Sequence, residues 1–234
     1  MNRFIPALRM CLTLIAIVCS GPAYSRQSPV GIFDGRTDIG SPRKAGSAQY
    51  NPDTKAYTVA GGGVNMWFGS DAFQFVWKRA SGNVSLSSAV RWTGAGGNAH
   101  KKACLLIRQD LEPDAPYADA VVHGNGLTSL QYREVRGGPT REIQSAVSGP
   151  RSIRIEKEGD EVFMSIAGEG ESLHPAGGSF RIKLTDPFYA GLGVCAHDSD
   201  GLEEAVFSGV ELTTGGKGKP GERVLESTLE TVPI

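Results

Sequence analysis

Hydrolysis of a glycosidic bond needs two carboxylates, and a strand presents them most simply as Glu-x-Asp-x-Glu on one face. No Glu-x-Asp-x-Glu triplet occurs; the sequence offers Glu156-Lys157-Glu158 and Glu169-Gly170-Glu171, and each falls where a strand ends or turns. There is no Gly-x-Ser-x-Gly elbow and no His/Cys spacing of a metal site, and His100, His123, His174 and His197 are scattered. These residues predict no catalytic centre and no enzyme. One segment has the makings of an ion site: Asp198-Ser199-Asp200-Gly201 resembles half of a calcium loop, with hard oxygens at alternate positions. A structural calcium is expected there, held by Asp198, Asp200 and Asp34. The same Asp/Gly-rich turn is equally well explained without an ion.

The remaining candidates are planar polar side chains suited to orienting hydroxyl groups. They acquire a position only through strand parity, since alternate residues face opposite sides of a sheet. If Leu105 and Ile107 point to the core, Cys104, Leu106 and Arg108 point away from it. Leu192, Val194 and Ala196 likewise turn Gly193, Cys195 and His197 outward, and Leu130 and Tyr132 turn Gln131 and Arg133 outward. Arg91 follows the same rule on its own strand. An outer face carrying Arg91, Arg108, Gln131, Arg133 and His197, with room left by glycines, is the expected ligand surface. Trp67, in the Gly-rich loop 61–69, is its stacking platform. An ordinary solvated sheet face accounts for the same pattern. Lys101-Lys102 reads as a solvated strand end.

The elements that must carry these residues are strands. The chain has 31 glycines among 234 residues, and no long segment repeats its apolar residues every 3.6 positions. Strand-like runs recur instead at Lys55–Ala60, Ala72–Lys78, Val84–Trp92, Ala103–Gln109, Ala118–His123 and Ser129–Glu134. Arg151–Lys157, Glu161–Ala167, Phe180–Leu184, Phe188–Ala196 and Ala205–Leu212 continue the series. Ile153 and Ile155 alternate with Ser152, Arg154 and Glu156, as a half-buried antiparallel strand requires. Gly159-Asp160 and Gly124-Asn125-Gly126 read as hairpin turns. The predicted fold is all-β, a two-sheet antiparallel jelly-roll sandwich over residues 26–212.

Several of these runs carry a resemblance: Leu105-Leu106-Ile107-Arg108-Gln109, Tyr117-Ala118-Asp119, Leu130-Gln131-Tyr132-Arg133, Gly191-Leu192-Gly193-Val194 and Ala205-Val206-Phe207-Ser208-Gly209-Val210. They resemble the concanavalin A-like jelly-roll domains of the "regulation of enolase" type, some of which precede a TolB-like propeller in exported bacterial proteins. The resemblance implies the fold and a binding role, for carbohydrate or another extracellular polymer, without a settled activity. It also makes the strands of Cys104 and Cys195 neighbours. The two cysteines are then expected either to form a disulfide or to remain a pair of buried small apolar residues.

The termini read as separate segments. Arg3 and Arg9, the apolar run Met10–Cys19 and the small residues Ala23 and Ser25 form a signal peptide over residues 1–25, too short to span a bilayer. Its removal implies a periplasmic or secreted protein and takes the formal net charge from −1 to −3. That balance excludes the basic footprint of a nucleic-acid binder. Residues 213–223 form a Gly/Lys/Pro linker, and 224–234 an orphan strand that is expected to pair with a protein partner or with this domain.

Overall fold

The computed structural model describes Met1 and residues 28–215; the expected signal peptide, most of the expected linker and the expected C-terminal strand lie outside the described residues. The described residues form fourteen strands: β1 (Gly35–Ile39), β2 (Ser47–Asn51), β3 (Ala56–Gly63), β4 (Phe73–Ala80), β5 (Val84–Trp92), β6 (Lys102–Arg108), β7 (Tyr117–His123) and β8 (Thr128–Arg133). They continue as β9 (Arg141–Gln144), β10 (Ser152–Glu158), β11 (Glu161–Ala167), β12 (His174–Arg181), β13 (Phe188–Cys195) and β14 (Asp198–Thr214). Two antiparallel sheets result, one ordered β1-β4-β13-β6-β7-β8-β9 and the other β12-β11-β10-β5-β14-β3-β2. The chain passes repeatedly from layer to layer, as in a jelly-roll sandwich, and no helix occurs among the described residues.

Period-two patterning produces the layers. Ile153 and Ile155 of β10 are fully buried between the sheets while Arg154 and Glu156 face outward. Val84 and Leu86 of β5 do the same, with Val90 and Trp92 packed at the edge of that core. Leu105, Ile107, Leu130, Leu192 and Val194 close it from the other sheet. Each such side chain contributes about 1.5–3 kcal/mol when fully buried. The β10–β11 hairpin turns on Gly159, whose φ of 57° suits a residue without a Cβ. β14 continues through Thr213 and Thr214, paired with β5, two residues beyond the expected start of the linker.

The outer face of the β1–β9 sheet departs from expectation. Its parity is as predicted, but it is not solvated. The segment between β3 and β4 folds back across it, and Met66, Ile39, Phe73, Phe75, Cys104, Leu106, Tyr117, Val121 and Cys195 form a second apolar cluster. Gly63 permits the reversal, because its φ is 105° and a Cβ there would lie 1.9 Å from the Ala72 carbonyl oxygen. Arg108 and Arg133, expected to meet ligand, instead anchor this segment and are completely buried. Arg108 Nη1 donates to Asp71 Oδ2 at 2.9 Å, and Arg133 grips both oxygens of the same carboxylate, Nη2 to Oδ1 at 2.6 Å and Nη1 to Oδ2 at 2.9 Å. Arg133 Nε also donates to the Phe68 carbonyl, and Arg108 Nε to that of Asp110. Tyr117 lies between the guanidinium groups, its ring centroid 4.9 Å from Arg133 Cζ, and its hydroxyl donates to Met66 O at 3.0 Å.

Other expectations are corrected by register. Cys104 pairs with Gly193 and Cys195 with Lys102, so the thiols are diagonal neighbours and both are unbonded. Diagonal partners are roughly 7–8 Å apart, beyond the about 4.4–6.8 Å that a disulfide spans. Asp34 receives Lys78 Nζ and Arg79 N at one end of β4, whereas Asp198 pairs with Gly63 near the other end, so the three acids proposed for calcium do not converge. Asp200 is paired with Arg43 instead. No group of three His, Cys, Asp or Glu able to hold a metal occurs among the described residues. Lys101 and Lys102, read as solvated, are each 2% exposed.

Asp71→Ala strands two buried guanidinium groups and is expected to lower the free energy of unfolding by about 3–5 kcal/mol, measured by urea denaturation. Asp71→Asn, which keeps one acceptor, is expected to cost less.

Candidate functional site

Beyond the apolar cluster, the same outer face opens into a cleft of about 350 Å³. Cross-strand rows build it. Lys102 stands opposite both Cys195 and His123, while Asp119 stands between Leu106 and Gln131, with Glu142 next along that row. Gln144 comes from the row between, opposite Ser129. Loops supply the rim: Asn65 and Trp67 from the β3–β4 segment, His100 before β6, Leu127 from the β7–β8 hairpin and His197 after β13. His197 holds a φ of 54° and its carbonyl accepts from Asn98 Nδ2, which fixes the corner at which β13 passes into β14.

The floor is a hydrogen-bonded lattice. Lys102 Nζ donates to Met66 O at 2.8 Å and to Gln131 Oε1 at 3.0 Å, beneath the Trp67 ring at 5.3 Å. With its oxygen thus engaged, Gln131 turns its Nε2 toward Ser129 Oγ, Glu142 Oε2 and His123 Nε2. The hydrogen-bond pattern therefore assigns the His123 proton to Nδ1, on the side of the His100 backbone. Gln144 Nε2 donates to Glu142 Oε1 at 2.6 Å. His100 packs edge-on to His123, centroids 5.9 Å apart, and lies 5.6 Å from His197.

Burial controls charge in this lattice. It pulls the Lys102 ammonium below the ordinary lysine value, a loss that the nearby Asp119 carboxylate opposes. Asp119 is fully buried, and burial drives its carboxyl up to about 7 in spite of Lys102 and the Gln131 backbone N–H. Burial, reinforced by the positive charge of Lys102, drives His123 down to about 3, and the same two causes lower His197. At neutral pH His123 is thus a neutral imidazole beside the Lys102 ammonium.

Of the residues expected at a ligand surface, Gln131, His197 and Trp67 meet here. Arg108 and Arg133 do not, being locked beneath the β3–β4 segment. Arg91 is exposed on the opposite sheet, its Nη1 donating to the Trp92 carbonyl. Sequence reasoning missed Lys102, Asp119, His123, Glu142 and Gln144. The signal for Lys102 was present, since it shares parity with Cys104 and Leu106, already assigned outward on β6; no face was assigned along β7, so His123 and Asp119 had no such marker.

The fold and the cleft define a two-layer antiparallel β-sandwich with a polar hollow on one outer face. No protein-family model matches the chain, and no curated protein does. Among solved structures it is similar to a protein of unknown function from Saccharomyces cerevisiae, at 16% identity and a TM-score of 0.58, covering 77% of this chain and 96% of that one. A family 7 alginate lyase in complex with its product aligns at 12% identity and a TM-score of 0.44, over 72% of this chain and 83% of that one. The lectin UEA-II complexed with galactose aligns at 8% identity and 0.44, over 76% and 96%. At such identities the likeness concerns the fold alone.

Two opposing pH effects follow. Between the ordinary carboxyl value of 3.8 and about 7, folded Asp119 keeps a proton that the unfolded chain has lost, so its contribution to stability declines as pH rises. Between the ordinary 6.5 and about 3, His123 stays neutral in the fold while the unfolded chain protonates, so its contribution declines as pH falls. Thermal denaturation from pH 4 to 8 is expected to show Asp119→Asn gaining on the wild type as pH rises. His123→Gln is expected to gain on it as pH falls. Parallel curves for either variant would remove that assignment.

Proposed function

We propose that this chain is an exported, non-catalytic carbohydrate-binding sandwich whose site is the cleft over β6–β9. The observation that carries the reading is the pairing of a tryptophan wall with fixed planar polar groups. Trp67 stands beside the amides of Gln131 and Gln144 and the imidazole of His123. A sugar has an apolar ring face and a rim of hydroxyls, and this combination offers each of them a counterpart. The groups are held before any ligand arrives, because Gln131 is fixed by Lys102, Ser129 and Glu142.

Binding rather than bond cleavage is supported by the state of the ionisable groups. An efficient general base titrates near the working pH, whereas His123 is driven down to about 3. Glu142 is the carboxylate among the described lining residues, and both its oxygens are engaged by neighbouring amides. The assignment to the "regulation of enolase" type belongs to the same proposal and is supported by the placement of the resembling segments on the central strands β6, β7, β8, β13 and β14. Export is supported by the leader pattern of residues 1–25.

The test is titration of the full chain with oligosaccharides chosen from a glycan array, followed by calorimetry. Trp67→Ala is expected to weaken binding about tenfold, equivalent to ~1.4 kcal/mol, and Gln144→Ala to weaken it by a smaller factor. Arg91→Ala, on the other sheet, is expected to leave affinity unchanged. Absence of glycan binding, or binding indifferent to Trp67→Ala, would overturn the reading.

A further inference from the structure

We infer that the cleft selects an acidic sugar, a glycan bearing a carboxylate or sulfate group, and seats that group against Lys102 and His123. The inference rests on the carbohydrate-binding reading above and narrows it to a ligand class.

Three observations converge. The first is how Lys102 is held. Its neighbour Lys101 is ion-paired with Glu203 at 2.8 Å, but the acceptors on Lys102 Nζ are neutral, the Met66 carbonyl and the Gln131 amide oxygen. An ammonium has three N–H groups, so one remains for a ligand. A cation kept out of water in this way attracts an anion more strongly than a surface lysine does, because the surrounding medium screens it less.

The second is the setting of His123. This side chain is 4% exposed, lines the cleft beside Lys102 and turns Nε2 to the Gln131 amide, so that its proton sits on Nδ1, on the side of the His100 backbone. The N–H dipole adds to the positive potential that Lys102 creates at this end of the cleft.

The third is the asymmetry of the walls. Glu142 lies on β9, with both oxygens receiving amides of Gln131 and Gln144, while the Lys102 ammonium and the His123 imidazole lie on β6 and β7. An anionic substituent is repelled by one wall and attracted by the other. The cleft therefore fixes which way round an acidic residue lies, with its hydroxyls toward the amides and its anion toward Lys102. Asp119, buried beneath this end with its carboxyl driven up to about 7, gives Lys102 only part of a counter-charge, which a ligand anion completes.

The experiment compares three probes of equal length on the full chain by calorimetry: an oligogalacturonate, its methyl ester, and a sulfated galactan oligosaccharide. The oligogalacturonate is expected to bind at least tenfold more tightly than its ester, with the difference abolished in Lys102→Met. Preference for the sulfated probe over the carboxylated one supports the same anion seat and identifies sulfate as its occupant. Equal affinity for acid and ester in the wild type overturns the inference while leaving carbohydrate binding intact. No binding to any member of a glycan panel, neutral sugars included, overturns both. If Lys102→Met fails to fold by circular dichroism, the acid–ester comparison on the wild type decides alone.

Discussion

One carboxylate shared by two arginines governs the architecture of the functional face. Asp71 lies on the segment joining β3 to β4, while Arg108 and Arg133 lie on β6 and β8. Their ion pairs fasten an irregular stretch of chain onto a sheet that would otherwise face solvent. A buried pair of this sort yields less net stability than its geometry implies, since all three charges are removed from water. Its value is positional. The segment has few apolar anchors besides Met66, and its polar backbone must find partners once buried. Phe68 O receives Arg133, and Met66 O receives both Tyr117 and Lys102. The cations that neutralise Asp71 thus belong to a wider set that also satisfies the backbone of the segment they hold.

The clamp and the cleft are consequently one structure. Trp67 lies between Met66 and Phe68, the two residues whose carbonyls are tied down, so the wall of the cleft takes its position from the same hydrogen bonds that bury the outer face. Lys102 belongs to both, one N–H on the clamped segment and another on the Gln131 floor. A change in the arginine cluster would reach a bound ligand through Trp67, without any arginine touching it.

The layers were legible because they follow from period two. Runs such as Val84–Trp92 and Arg151–Lys157 declare an inner and an outer side, and the structure places them accordingly. The strands that escaped notice, β1, β2 and β9, are short, and β9 (Arg141–Glu142-Ile143-Gln144) has a single apolar residue, too few to mark a face. Parity also placed Gln131, His197, Arg108 and Arg133 on the correct side of their sheet. It could not tell whether that side would be covered, because the cover is a glycine-rich stretch without periodicity, and burial of an arginine depends on a partner far away in sequence. Arg133 and Asp71 are 62 residues apart. The disulfide expectation failed for a related reason. Neighbouring strands and a shared face follow from the pattern, but the two-residue offset between Cys104 and Cys195 is set by register alone.

Burial of charge is what distinguishes a site from a surface on this face. Arg91 and Lys102 are both cations on outward-pointing strand positions, yet Arg91 is exposed and Lys102 is 2% exposed, lying below Trp67 with neutral oxygens for company. The protein bears the cost of a desolvated ammonium, a buried, protonatable Asp119 and a buried imidazole within one small volume. Folding has no use for such a concentration of buried polar groups, since apolar residues of similar size would pack there at lower free energy. Lys102 could be excused as a tether for Met66, but Tyr117 already supplies a donor to that carbonyl. A ligand anion that accepts from Lys102 offsets part of this cost, and that is the physical ground for proposing the cleft, rather than the exposed sheet, as the ligand site.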